Sequence, residues 1–545
     1  MREWNRLGLN KAERMERGAA LAQGKVVPPA RIGELLAQVI ESGDRVCIEG
    51  NNQKQADFLA SALAGLDPAV VNDLHIVQSV LALPSHLDVF ETGVASRLDF
   101  SFSGQQSARL ARLLSAGQLR IGAIHTYLEL FGRYFTDLTP RVSLVCAAAA
   151  DAQGNLYTGG NTEDTPVIVE ATAFRRGIVI AQVNEIVDHV PRVDIPGDWV
   201  DFVVQSPRPH YIEPLFTRDP AQISEIQVLM AMMAIKGIYA EYGVKRLNHG
   251  IGFDTAAIEL LLPTYAESLG LRGKIATHWA LNPHPALIPA IEAGFVESVH
   301  SFGSELGMEE YIRARPDVFF TGPDGSMRSN RALSQTAGLY ACDMFIGSTL
   351  QIDLQGNSST ATLGRVSGFG GAPNMGSDAR GRRHGTETWL RAGREAGTGT
   401  MPRGRKLVVQ MVETFREHMA PAFVEKLDAW ELAETAGLDL PPVMIYGDDV
   451  THILTEEGIA NLLLCQNEQE REQAIRGVAG YTPVGLARDK AMVENLRDRG
   501  VIRRPADLGV DPRDATRDLL AARSMKDLVH ASGGLYDPPA RFRSW

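Results

Sequence analysis

Cysteine is scarce and scattered. Cys47, Cys146, Cys342 and Cys465 lie far apart in apolar surroundings, and with no C-x-x-C pair they read as buried free thiols rather than a metal or redox centre. Long apolar runs are missing too. The most hydrophobic stretch, Val228 to Ile235, is far too short to span a bilayer, and residues 1–11 carry charges without a signal peptide's apolar segment. The expected compartment is cytoplasmic. Positive charge is in deficit: 54 Lys and Arg against 66 Asp and Glu leave a net charge of −12. No basic block interleaved with aromatics points to nucleic acid, and an anionic substrate has to be drawn in by a local basic cluster.

Several catalytic signatures are also absent. No G-x-S-x-G supplies an α/β-hydrolase nucleophile. His278, His284 and His300 lack the spacing of an HExxH site and are interrupted by Pro283 and Pro285, so no metal is expected. In Gly368-Phe369-Gly370-Gly371-Ala372-Pro373 a proline replaces the third glycine of a dinucleotide loop, and no acidic ribose binder sits on a following strand, which argues against NAD. No repeat of solenoid length occurs.

What is present is the pattern of a large α/β protein. The 545 residues exceed one ordinary core, and 44% apolar with 22% charged residues is a soluble globular composition. A polar N-terminal arm (1–29) ends at Val27-Pro28-Pro29. The first α/β domain (30–220) opens with the strand Arg45 to Ile48, the turn Gly50-Asn51-Asn52 and helical spacing at Ala56, Leu59, Ala60 and Leu63. Strands are expected at Val142 to Ala150, Val167 to Glu170, Ile178 to Val183 and Val200 to Val204, with a hairpin-like turn at Asp151 to Asn155. The Pro-rich segment 206–220 leads to a second α/β domain (221–467). Here a long helix (221–242), a strand at Val244 to Leu247, a helix with Asp254 as N-cap and strands at Gly273 to Thr277, Val296 to Ser301, Leu350 to Leu354, Lys406 to Val412 and Val450 to Leu454 are expected. Charged helical segments fill an extension, 468–545.

The stretch Gly347 to Gly385 stands out. Ser367-Gly368-Phe369-Gly370-Gly371 lacks β-carbons at three of five positions, so its amides can approach a carbonyl or phosphate closely, although a plain turn between strands has the same composition. Arg365, Arg380, Arg382 and Arg383 flank it, either as binders of phosphate or a dicarboxylate or as a solvated loop. Lys54 is a weaker candidate for that role.

Ile346-Gly347-Ser348-Thr349-Leu350-Gln351-Ile352-Asp353-Leu354-Gln355-Gly356 and the Ser-Gly-Phe-Gly-Gly run follow Asn248-His249-Gly250-Ile251-Gly252 and precede Leu454-Thr455-Glu456-Glu457-Gly458-Ile459-Ala460-Asn461-Leu462. This ordered set resembles the CoA-transferase and acetyl-CoA hydrolase superfamily. Over nearly the whole length it resembles the malonate decarboxylase alpha subunits, with the citrate lyase alpha subunit more distant. The resemblance implies two CoA-transferase-like domains with the site between them. It also implies no permanently bound cofactor, because the thiol is a CoA-like phosphoribosyl-dephospho-CoA arm on a separate acyl carrier protein. Further implied partners are malonate and the decarboxylase subunits of a complex. Expected substrate or CoA contacts are Asn51, Asn248, Gly250, Gly252, His278, Gln351, Ser367, Gly368, Arg380, Arg382 and Arg383. His278 is either a polar wall of the acyl pocket or a core histidine.

Glutamate-dependent members of the superfamily form an acyl-glutamyl anhydride. In the matching segment, Ile275 to Asn282, Leu281 falls where that glutamate belongs, and no acidic residue lies between Lys274 and Ile291. The implied alternative is direct attack of malonate on the acetyl thioester through an acetyl–malonyl anhydride, with Gly370 and Gly371 as oxyanion donors. Two other readings stay open: a free-CoA transferase or hydrolase using Glu305 or Glu49, and a carrier-binding scaffold without chemistry.

Overall fold

Two largely parallel sheets, each covered by helices, organise the chain. The computed structural model describes residues 3–545 apart from 52–53, 302, 324, 328–329, 398–402 and 544. In the first sheet the order is Val26–Val27, Phe202–Gln205, Ile178–Val187, Val142–Asp151, Arg45–Ile48, Leu74–Val80, Ala95–Phe102 and Arg120–Ile124, with Leu156–Tyr157 folded back antiparallel on Val142–Asp151. The second runs Ser298–His300, His278–Ala280, Arg246–His249, Met344–Gly347, Leu407–Met411 and His452–Thr455 in parallel, then Gly458–Asn461 and Ile502–Arg503 antiparallel. The α/β class expected from the sequence is the class observed. Parallel strands covered on both faces need apolar residues at both parities. Accordingly Val142, Leu144 and Cys146 enter one core while Val145 and Ala147 enter another.

The halves repeat one topology. In each, the first long-sheet strand (Arg45–Ile48; Arg246–His249) lies centrally; the next three strands of the first half and the next two of the second extend to one side, and the three parallel strands that follow extend to the other. A turn of sequence D-x-Q-G-N recurs at matching places. Asp151 Oδ1 accepts from the Gln153 and Asn155 amides, both at 3.0 Å, and Asn155 Oδ1 accepts from Gly197 N at 2.8 Å. Asp353 Oδ1 likewise accepts from Gln355 and Asn357 at 3.0 and 2.9 Å, and Asn357 Oδ1 from Gly447 N at 2.8 Å.

Some elements differ from expectation. Val167 to Glu170 lies within a helix, Thr165–Phe174, because a short apolar run does not distinguish strand from helix and Pro166 starts the helix. The strand expected at Gly273 to Thr277 begins only at His278, after a positive φ of 56° at Ala276. Leu350 to Leu354 shrinks to Gln351–Ile352, paired with Ser358–Ser359. Gly252, not Asp254, caps the helix Phe253–Leu261, and the Asp254 carboxylate instead accepts from Ser348 Oγ at 2.9 Å. The C-terminal segment is more than helical surface: Ile502–Arg503 closes the second sheet, and Leu508, Leu520, Met525, Leu528 and Tyr536 enter its core. Among the described residues no helix is long and apolar enough to cross a membrane, and the cysteines are free.

Candidate active site

A cavity of about 210 Å³ lies between the halves, at the carboxyl ends of strands from both sheets, the place where open α/β sheets bind ligands. Arg246–His249 delivers Asn248, His249 and, just past its end, Gly250. His278–Ala280 runs out into Leu281, Asn282 and His284. Opposite stand Phe102, which ends Ala95–Phe102, and Tyr127, which starts the helix Tyr127–Tyr134. Arg331 and Gln335, one turn apart on the helix Arg331–Ala341, form a side wall. A β-carbon on Gly250 would come within 2.9 Å of Gly347 Cα, so glycine is what lets adjacent strand ends converge here.

The Gly-rich loop forms the roof, and it is bonded to the first sheet. Ser103 N donates to Ser367 O at 2.8 Å, Phe369 N and Gly370 N both donate to Ser101 O at 2.7 and 2.9 Å, and Tyr127 N donates to Gly370 O at 3.2 Å. Gly368 has a φ of +74°, and a β-carbon there would lie 2.4 Å from Ser101 O. The loop therefore reaches the cavity as expected, with one correction. Because the Gly370 N–H is already engaged by Ser101, it does not serve as an oxyanion donor. The Gly371 N–H makes no backbone hydrogen bond among those of the described residues, and Gly371 lines the cavity.

Of the residues expected at the site, Asn248, Gly250, Gly368, Gly370 and Gly371 line the cavity. Gly252, Ser367 and Gln351 do not. Ser367 contributes its carbonyl to Ser103, and the buried Gln351 accepts from Asp428 N at 3.0 Å. His278 sits at the far end of its strand, half exposed and bonded to Thr277 Oγ1 at 2.8 Å, so the acyl pocket takes Leu281 and Asn282 instead. Asn51 accepts from Lys54 N at 2.6 Å in the first half's equivalent of the Gly250 turn. Lys54 is buried 3.4 Å from Glu49. Arg382 is not a ligand binder: it is buried, 2.8 Å from Asp343 Oδ1, donates to the Cys342 and His384 carbonyls and stacks over Trp389. Arg380 and Arg383 are exposed and outside the cavity wall, as is Arg365.

Two buried charge clusters border the cavity. Arg331 lies 2.7 Å from Glu163 and 3.5 Å from Asp164, with its guanidinium 4.6 Å from the Tyr127 ring centre. Burial pushes Glu163 up to about 8 in spite of Arg331. On the opposite side, Glu259 Oε1 is 2.7 Å from His249 Nδ1 and 3.4 Å from His284 Nε2, while Tyr239 OH bonds His249 Nε2 at 2.5 Å. Burial works to raise the Glu259 carboxyl, but the two imidazoles outweigh it and bring it down to about 2. Sequence reading did not assign Tyr127, Asn282, His284, Arg331 or Gln335 to the site. Arg331 gave no signal, since its partner Glu163 is 168 positions away.

No Asp or Glu lines the cavity among the described residues, and Leu281 is in its wall. Glu49 is fully buried and satisfied by Cys146 N and Thr165 Oγ1 at 2.8 and 2.6 Å. Glu305 is also fully buried, bonded to Thr217 Oγ1 at 2.8 Å and Phe216 N at 3.2 Å.

Comparison with known proteins gives a consistent picture. The family model of the malonate decarboxylase alpha subunit, transporter, matches residues 3–545. An acetyl-S-ACP:malonate ACP transferase of Malonomonas rubra is 64% identical over 548 residues, covering 99% of either chain. A chain of a Pseudomonas malonate decarboxylase hetero-tetramer, solved in complex with malonate, is 59% identical with a TM-score of 0.96 and full coverage of both chains (100% each). The putative alpha subunit of citrate lyase from Streptococcus mutans, at 15% identity and a TM-score of 0.58 over 95% of this chain and 87% of that one, shares the fold.

Proposed function

Since the chain belongs to the malonate decarboxylase alpha-subunit family, we infer that it is an acetyl-S-ACP:malonate ACP transferase, moving a carrier thiol from acetyl to malonate to give malonyl thioester and acetate. The observation that carries the mechanism is a cavity that no Asp or Glu among the described residues lines, with Leu281 in its wall. A malonate carboxylate oxygen attacks the acetyl carbonyl, the C–S bond breaks, and the carrier leaves as thiolate. The thiolate then attacks the malonyl carbonyl of the mixed anhydride. That C–O bond breaks and acetate departs with the bridging oxygen. The chain's part is to hold the reactants together, exclude water with Phe102, Phe345, Phe369 and Met444, and present the Gly371 N–H to the developing oxyanion.

For the carrier arm the reading takes an adjoining cavity of about 560 Å³ that shares Phe369 and Met444 with the first, with Arg97 and Arg133 in its wall beside Asp99 and Glu129. Guanidinium groups there suit the arm's phosphate oxygens. The chain then works as one subunit of a malonate decarboxylase complex, in keeping with the hetero-tetrameric relative, and exchanges acyl groups on an acyl carrier protein, in keeping with the name of the Malonomonas rubra relative.

The test is a single turnover with enzyme in excess over acetyl thioester and with malonate labelled in its carboxylate oxygens. One labelled oxygen is expected in the released acetate, and no acyl group on the protein when acetyl thioester is added alone. An acyl-glutamyl peptide trapped by hydroxylamine, or unlabelled acetate in that first turnover, would overturn the direct route in favour of an enzyme carboxylate.

A further inference from the structure

The residues lining the cavity include three groups able to carry positive charge: His249, His284 and Arg331. Arg331 is already held between Glu163 and Asp164 and donates to Ser79 Oγ at 3.3 Å. His249 has both nitrogens engaged. Tyr239 can donate its O–H to Nε2, which leaves Nδ1–H to donate to Glu259 and the ring neutral. His284 differs. Its Nε2 faces Glu259 Oε1 at 3.4 Å, while its Nδ1 is buried and finds no partner among the described residues. Asn282 and Gln335, which also line the cavity, each bury an amide oxygen without a donor.

A fully buried carboxylate needs a positive neighbour. Glu259 has two imidazoles beside it, and His284 is the one that faces this carboxylate through Nε2 and keeps Nδ1 to spare. Two other charged groups face His284, and burial raises one of them, Glu305, to about 7, so Glu259 is the firm anion beside the ring. Glu305, from the segment following the strand Ser298–His300, feels the same imidazole, and Arg218 offsets that carboxylate in turn while lying over the Phe253 ring.

We propose that His284 is the residue that selects a dicarboxylate. Its Nδ1–H holds the carboxylate of malonate that does not react, and Glu259 acts as a positioning residue that fixes the ring's orientation and charge. This inference rests on the reading that malonate and the acetyl thioester meet in this cavity. The pairing must involve the non-reacting end, because a carboxylate neutralised by an imidazolium is the poorer nucleophile. A monocarboxylate has no such second end. A charge-assisted hydrogen bond of this kind is worth about ten- to a hundredfold in selectivity.

The experiment compares malonate with propionate as acceptors from acetyl-CoA, using the full chain and its His284→Gln, His284→Asn and Glu259→Gln variants. The ratio of kcat/KM for malonate to that for propionate should fall about ten- to a hundredfold in both His284 variants. In Glu259→Gln, malonate KM should rise while kcat and the propionate KM hold, a split that a merely structural role would not produce. Equal losses for both acceptors, or an unchanged ratio, overturn the assignment of His284 while leaving the transferase reading intact. Absence of malonyl thioester with the unaltered chain would defeat the transferase reading itself, and the proposal with it.

Discussion

At the scale of single residues, two glycines three positions apart in the roof loop answer to different constraints. Gly371 has a φ of −88°, open to any residue, but a β-carbon there would lie 2.6 Å from Gln335 Nε2. Gly371→Val should therefore displace Gln335 and crowd the cavity. Turnover should drop on the order of 10²–10³-fold, the scale of an oxyanion donor that the substrate can no longer reach, while the urea unfolding midpoint stays in place. Gly368→Ala should do the reverse, costing about 1–3 kcal/mol of stability through strain at positive φ and a clash with the Ser101 carbonyl. Denaturant titration and initial rates on both variants separate these roles. The place of this loop at the cavity was legible because glycine spacing is a local signal. His284 and Arg331 were not legible, since what gives them meaning is a partner brought close by folding: Glu259 for one, Glu163 for the other.

Elements follow the same division. Val142–Asp151 and Ile178–Val187 were readable as buried strands because parallel sheets demand apolar residues at both parities. The helix Thr165–Phe174 and the short strand Gln351–Ile352 were misread where four or five residues carried too little periodicity. The arginines of the segment 380–383 show how sequence proximity misleads. Arg382 Nη2 reaches Asp343, which Thr386 Oγ1 also bonds, at 2.8 and 2.5 Å respectively, so it pins the loop to the start of the strand Met344–Gly347. Arg382→Ala should cost roughly 3–5 kcal/mol, because it strands a buried carboxylate. The double change Arg380→Ala with Arg383→Ala should leave the unfolding midpoint where it is. Equal effects of the two would return Arg382 to the surface cluster that its neighbours form.

For the whole molecule, the buried acids set an unusual pH response. Burial raises Glu163, Glu305 and Asp254 to about 8, 7 and 6. Each folded pKa lies above its unfolded value, so the folded state holds protons that the unfolded chain releases. Their contribution is complete below the unfolded carboxyl range and is lost as pH climbs through the folded values. The urea midpoint should accordingly decline between about pH 6 and pH 8, and Glu163→Gln should flatten the upper part of that decline. A midpoint that rises steadily across this interval would contradict the assignment. The bonds from Ser101 and Ser103 to the loop Ser367–Gly370 carry a consequence for biosynthesis. A strand made early in translation waits for partners that leave the ribosome more than 260 residues later, as the 263-residue separation of the Ser103–Val366 bond records. The first sheet can form while the chain is still growing, but until the loop emerges its Phe102 edge has no roof. A nascent chain stalled before residue 366 should thus leave uncovered the end of Phe102 that this loop later closes over.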